Sequence, residues 1–218
     1  MLVDGSHPKY NDRGRFDLAL GHSLGTSDII LSEGVLHHTR STKDAIASAA
    51  RALHPEGELY FDVYRRKGPV REFTDDYVRE AIRGISNAEA WEAMGSLTEL
   101  ARRLSDLHAT VDLPEDIPLL GIEAGTHDAQ RLIYWNFAKL YWNDALSFDE
   151  SVHVNFDWYR SRYAHRQSEA EVREWCEQSG LRIRRFHPQE SGFTVVAVMT
   201  LRPTPTPETF CPSTFTPA

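Results

Sequence analysis

The chain has 218 residues, 41% of them apolar and 26% charged, with a formal net charge of −8. That is enough chain and enough apolar character for one folded domain with a buried core, and it excludes an intrinsically disordered polymer. The acidic balance argues against a nucleic-acid backbone or an anionic membrane as main partner, since both call for a basic footprint.

Residues 1–15 are polar and turn-like, with Gly5, Pro8, Asn11, Asp12 and Gly14, and read as a frayed start. They lack the charged and apolar regions of a signal peptide, and no run approaches a membrane-spanning length, so a cytoplasmic protein is expected. Phe16-Asp-Leu-Ala-Leu20 is a short extended piece and 21–27 a loop. Asp28–Leu31 reads as a strand. Ser41, with Asp44 three residues on, opens a helix whose apolar set is Ile46, Ala49, Ala50 and Leu53. His54-Pro-Glu-Gly57 ends it, and Gly57 to Tyr64 forms the next strand. Strand, helix and strand in this order make a right-handed crossover, with ligands expected at the loops on the strand C-termini.

Residues 67–165 change character. Helices are expected from Thr74 to Arg83 and from Ser86 to His108, the latter with a stripe of Trp91, Met94, Leu97, Ala101 and Leu104. A Pro-rich loop follows at Leu113–Pro118, then an aromatic helix from Asp128 to Trp142. Inserted helices of this kind suggest a lid over the sheet's ligand edge. Trp135, Phe137, Tyr141 and Trp142 either line a pocket or pack the insertion down. The basic cluster Arg65, Arg66, Lys67 and Arg71 reads as a solvated patch.

Alternating α/β character returns at Ser168 and Glu171, a capping box ahead of Val172, Trp175 and Cys176, with Gly180 as the helix stop. Leu181–Phe186 and Phe193–Met199 are the last strands, and 201–218, with its Thr-Pro steps, reads as a disordered tail. Cys176 and Cys211 have no metal or redox spacing. No metal site is expected from His37 and His38 either, because adjacent residues in an extended loop point apart.

Four pieces, in order, carry a family likeness: Phe16-Asp-Leu, Ser27-Asp-Ile-Ile-Leu-Ser-Glu-Gly-Val-Leu-His-His, Ala52-Leu-His-Pro-Glu-Gly-Glu-Leu and Glu171-Val-Arg-Glu-Trp. Phe156-Asp-Trp-Tyr with Tyr163-Ala-His-Arg adds a fifth. Together they resemble the second half of a class I S-adenosylmethionine-dependent methyltransferase of the small-molecule, type 11 group. The resemblance implies an α/β fold: the C-terminal half of a Rossmann-like sheet with a reversed last strand, carrying a mainly helical insertion. It also implies S-adenosyl-L-methionine as cofactor and a small or medium-sized acceptor.

Carried over by position, Asp17 and Leu18 resemble the residues around the adenine, and Ser32, Glu33 and Gly34 the loop near the sulfonium. His37 and His38 lie just beyond, facing substrate or solvent, and His37 is the nearest candidate base. Tyr64, Arg65, Tyr159, Tyr163 and His165 are the candidate acceptor-lining residues. The likeness fails at two places. The glycine-rich loop Asp-x-Gly-x-Gly-x-Gly and the acid that would hold the ribose are absent, and the tail after Thr200 has no counterpart. The expectation is therefore an N-terminally truncated domain over 1–200, with weak cofactor binding and one edge of the Asp28–Leu31 strand left open. The alternative is a non-catalytic interaction or regulatory module that pairs with another chain to complete the sheet.

Overall fold

The computed structural model describes residues 26–200. Asp17, Leu18, Cys211 and the two termini lie outside these residues. Among those described, the main sheet has four strands in the order β1-β2-β6-β5: β1 Ser27–Ser32, β2 Leu53–Tyr64, β5 Leu181–Pro188 and β6 Gly192–Met199. β1 and β2 are parallel, and β6 runs antiparallel between β2 and β5. The result is a mixed α/β fold with the expected reversed last strand.

Helix α1, Thr42–Arg51, makes the crossover between β1 and β2, and the Ser41 hydroxyl accepts the Asp44 N–H as its cap. α1 and the later helix α6, Glu169–Gln178, cover one face of the sheet. The alternation of β2 sends Leu59, Phe61 and Val63 into that face, where they meet Ile46, Val172, Cys176 and Val195. Each such fully buried side chain stabilises the fold by roughly 1.5–3 kcal/mol. Gly192 is required where β6 turns in beside β2, because a Cβ there would collide with the Val63 carbonyl.

The opposite face is barer. Ile29 aligns with Glu58 and Leu31 with Tyr60 on β2, and the two β1 side chains are 55% and 40% exposed. Among the described residues β1 is an edge strand.

Between β2 and α6 lie α2 Pro69–Arg83, α3 Asn87–Asp106, the hairpin β3 Thr110–Leu113 with β4 Gly125–Asp128, α4 Ala129–Asn136 and α5 Phe148–Arg160. Several boundaries differ from the sequence expectation. α2 starts at Pro69 rather than Thr74, because Pro at the first turn and Glu72 build its N-terminus. The aromatic helix stops at Asn136, with the following segment irregular.

α5 and the β3–β4 hairpin were not anticipated. The buried stripe of α3 is Ala90, Met94, Thr98 and Ala101, while Trp91 is exposed. The helices share a second core of Ile82, Ala90, Met94, Val152, Trp158 and Tyr159, which touches the sheet through Tyr64.

Candidate functional site

The C-terminal ends of β1 and β2 lie side by side, as parallel strands joined by a crossover must. Beyond β1 comes the loop of Ser32, Glu33 and Gly34. Ser32 is buried, whereas Glu33 and Gly34 are exposed. Gly34 sits at φ +67°, a conformation that favours glycine, and its N–H donates to Asp62 Oδ1 on β2 at 2.7 Å. Burial raises the Asp62 carboxyl above its ordinary range, and the Gly34 N–H partly offsets this.

A single turn of 3-10 helix, Leu36–His38, follows, and contrary to the expectation that adjacent histidines point apart it keeps the two rings in contact, their centroids 4.3 Å apart. His37 is fully buried, with its ring centroid 3.7 Å from that of Tyr64. Neither of its ring nitrogens has a hydrogen-bond partner among the described residues. Burial first, then the neighbouring His38, pushes its pKa down to about 3, so the ring stays neutral. It faces neither solvent nor an open acceptor site, contrary to the sequence expectation. An apolar strand runs into this turn, and Leu36 and His37 are pulled inward together.

His38 is the half-buried member of the pair. Its Nδ1 lies 2.6 Å from the Tyr163 carbonyl, and Nε2 has no hydrogen-bond partner among the described residues. Burial lowers its pKa, with the Tyr163 carbonyl opposing.

The segment 161–168 crosses the end of β2 and ties the two halves of the site together. His165 N–H donates to the His37 carbonyl at 3.0 Å, Gln167 N–H to the Tyr64 carbonyl at 2.9 Å, and Arg66 N–H to the Gln167 carbonyl at 2.8 Å. The Tyr163 and His165 rings stack with centroids 5.8 Å apart. Tyr64 packs on Trp158 of α5 at 4.6 Å, which seats the helical insertion at this end of the sheet. Of the five acceptor-lining candidates, the structure brings together Tyr64, Tyr163 and His165.

The other two candidates differ. Tyr159 borders a cleft with Tyr163 and His165, which Tyr64 does not line, but is buried, and its hydroxyl donates to Asp75 Oδ1 at 3.1 Å and accepts the Lys139 N–H at 3.1 Å. It is a packing and anchoring group. Arg65 is exposed, reaches toward the Gln189 carbonyl at 3.4 Å and lines a separate cleft with Lys67 and Trp135. The aromatic residues of 135–142 do not form one pocket either. Trp135 lines the Arg65 cleft, while Tyr141 and Trp142 border another depression.

The expected solvated basic patch also divides. Arg71 is fully buried, its Nε 2.9 Å from both Asp75 carboxylate oxygens, and a guanidinium N–H donates to the Tyr134 carbonyl. Trp158 Nε1 donates to the same carboxylate at 3.0 Å. Burial brings the ammonium of Lys67 down to about 7, and that of Lys139, above the Trp158 ring at 4.4 Å, to about 7 as well.

Sequence reasoning took His37 rather than His38 as the candidate base, and missed Arg79, whose buried guanidinium nitrogens have no hydrogen-bond partner among the described residues. Spacing alone held no signal for Arg79.

A sulfonium nucleoside donor needs a holder for its ribose, for its amino-acid carboxylate and for its base. Among the described residues the Ser32–Gly34 loop lies beside Asp62, to which the Gly34 N–H is committed.

Residues 14–61 match the family model described as a methyltransferase domain. No curated protein matches the chain. Among solved structures, an O-methyltransferase family protein from Burkholderia thailandensis aligns with 84% of this chain and 33% of its own, at 12% identity and a TM-score of 0.38. The chain thus spans about a third of that protein's length. Among the described residues no helix is long and apolar enough to cross a membrane. The matched segment runs through β1 and α1 into β2, so this stretch of the chain is similar to a methyltransferase domain.

Proposed function

We propose that the chain supplies the acceptor-facing part of an S-adenosylmethionine-dependent methyltransferase acting on a small or medium-sized acceptor, and that on its own it binds the donor weakly or not at all. The observation that carries this reading is the meeting of the matched segment with segment 161–168 at the end of β2, where His38, Tyr64, Tyr163 and His165 converge. His38 replaces His37 as the candidate base. With Nδ1 donating to a carbonyl, its lone pair sits on Nε2 and accepts the proton of an acceptor hydroxyl or amine. His37 and Tyr64, packed behind it, hold the ring in place.

Calorimetric titration of the 218-residue chain with S-adenosyl-L-methionine tests the donor half of the proposal. No saturable heat at micromolar concentrations is expected. Micromolar affinity would overturn the weak-donor reading.

The exposed edge strand favours a second reading, a non-catalytic module that pairs with another chain through β1. Light scattering separates the two. A stoichiometric complex with a methyltransferase-like partner supports the module, and a concentration-dependent self-association supports the first reading.

A further inference from the structure

Arg79 lies on α2, two turns beyond Arg71, and the two residues meet opposite fates. Arg71 is buried and fully paired with Asp75 and the Tyr134 carbonyl. All three guanidinium nitrogens of Arg79 are buried with no hydrogen-bond partner among the described residues. The group rests 5.1 Å from the Trp158 ring and 6.0 Å from the Tyr159 ring. Burial and then Arg166 bring its pKa down only to about 10, so it remains charged at neutral pH. A charge with unmet donors inside a protein is costly, and a fold that pairs Arg71 so completely has left this one open.

Arg79 lines a cleft of about 960 Å³ between α2, the end of α5 and segment 161–166. Six arginines and two carboxylates border it, in a chain whose net charge is −8. The other charges are largely spoken for. Arg166 bridges Glu72 and Asp76, Arg160 donates to Asn87 and to the Ile82 and Ile85 carbonyls, Arg66 pairs with Glu171, and Arg83 with Glu80. Asp75, one turn back on α2, is saturated by Arg71, Trp158 and Tyr159, while Asp76 pairs with Arg166 and Glu80 with Arg83. No carboxylate among the described residues is hydrogen-bonded to Arg79.

We propose that Arg79 is an anion-binding residue that seats the carboxylate of a small, flat acceptor, with the stacked Tyr163 and His165 rings at the cleft wall flanking the acceptor's body. A guanidinium matches a carboxylate by two parallel N–H···O bonds, and aromatic walls favour a planar ligand. Arg79 lines the cleft while its guanidinium nitrogens are buried, so a rotation about its terminal torsions is required to meet the ligand. Calling the ligand an acceptor rests on the methyltransferase reading, whereas anion binding at Arg79 does not.

The test therefore uses no methyl donor. The full chain is titrated calorimetrically with benzoate, benzyl alcohol and inorganic phosphate, alongside Arg79→Met, Arg79→Lys and, as control, the exposed lining residue Arg83→Met. Saturable benzoate binding is expected, at least tenfold tighter than the neutral alcohol. It should be abolished in Arg79→Met, weakened in Arg79→Lys and within twofold of wild type in Arg83→Met. Arg79→Met should melt no lower than wild type, because an unpaired buried charge has been removed. No benzoate binding by the wild type, equal binding by Arg79→Met, or an equal loss in Arg83→Met would overturn the assignment. Phosphate binding as tightly as benzoate would overturn the flat-carboxylate preference.

Discussion

His38 and Tyr163 are joined across 125 residues of sequence by a 2.6 Å contact from imidazole Nδ1 to the backbone carbonyl oxygen. A carbonyl only accepts, so the ring proton is on Nδ1 and the lone pair on Nε2. One contact thus sets the tautomer and fastens the turn after β1 to segment 161–168. The His165 N–H to the His37 carbonyl fastens the same two pieces a second time.

The first prediction concerns that tautomer. Nitrogen-detected NMR of the folded chain should show His38 neutral with its proton on Nδ1, and titrating below the ordinary histidine value of 6.5 because burial disfavours the cation. A proton on Nε2, or a titration above 6.5, would remove His38 as the candidate base.

Acid stability should report on His37. Its pKa falls from 6.5 to about 3 on folding, chiefly through burial. Above pH 6.5 the ring is neutral in both states. Below it the unfolded chain takes a proton that the fold refuses, so stability falls as the pH drops from 6.5 toward 3. One such group contributes at most about 1.4 kcal/mol per pH unit. His37→Phe keeps the packing on Tyr64 and should flatten the dependence, leaving the smaller part due to His38. Urea midpoints at pH 7.5, 6 and 5 decide it, and equal slopes in wild type and variant would defeat the prediction.

The contrast between these histidines shows where sequence reasoning reached its limit. The crossover from β1 to β2 was legible because its signals are local: β-branched residues, the Ser41 cap with Asp44, and alternation along β2. Ser168, Glu171 and Gly180 marked α6 in the same way, and all three act as read. α5 carried a comparable signal, the Ser147 and Glu150 box, but its buried face mixes Ser151 and Asn155 with Val152 and Tyr159 and so hides the periodicity.

The β3–β4 hairpin is polar and short, held partly by Thr126 donating to Asp112 at 3.0 Å, and offers no apolar alternation. Arg71, Asp75 and Arg79 look solvated on a helix read alone. Only packing against α4 and α5 buries them, and which of them finds a partner is a tertiary fact. The same holds for which of two adjacent histidines turns inward.

The buried Asp75 carboxylate should be the most sensitive single group in the helical insertion. Arg71, Trp158 Nε1 and the Tyr159 hydroxyl all donate to it. Asp75→Ala leaves a buried guanidinium and two further donors unmet, and breaking such a pair costs roughly 3–5 kcal/mol. Adding Arg71→Met to that variant removes the stranded charge and should recover part of the loss. Urea denaturation of the two variants measures both effects. A loss below about 1 kcal/mol in Asp75→Ala would mean that the network is not what holds α2 against α5.

The edge of β1 yields the last prediction. Ile29 and Leu31 stand on the face of the sheet away from α1 and α6, on a strand whose outer side is unpaired among the described residues. An apolar strand in that position is a template for pairing with another copy, and a lysine on it is a common natural deterrent. Ile29→Lys and Leu31→Lys should therefore reduce concentration-dependent light scattering. They should change stability by no more than about 0.5 kcal/mol, since neither side chain gives up a buried position. If instead the wild type stays monomeric at high concentration and both variants lose about 2 kcal/mol or more, the side chains are covered in solution by the chain itself. The open-edge reading, and with it the pairing module, would then fall, because a strand already sheathed has no edge to offer a partner.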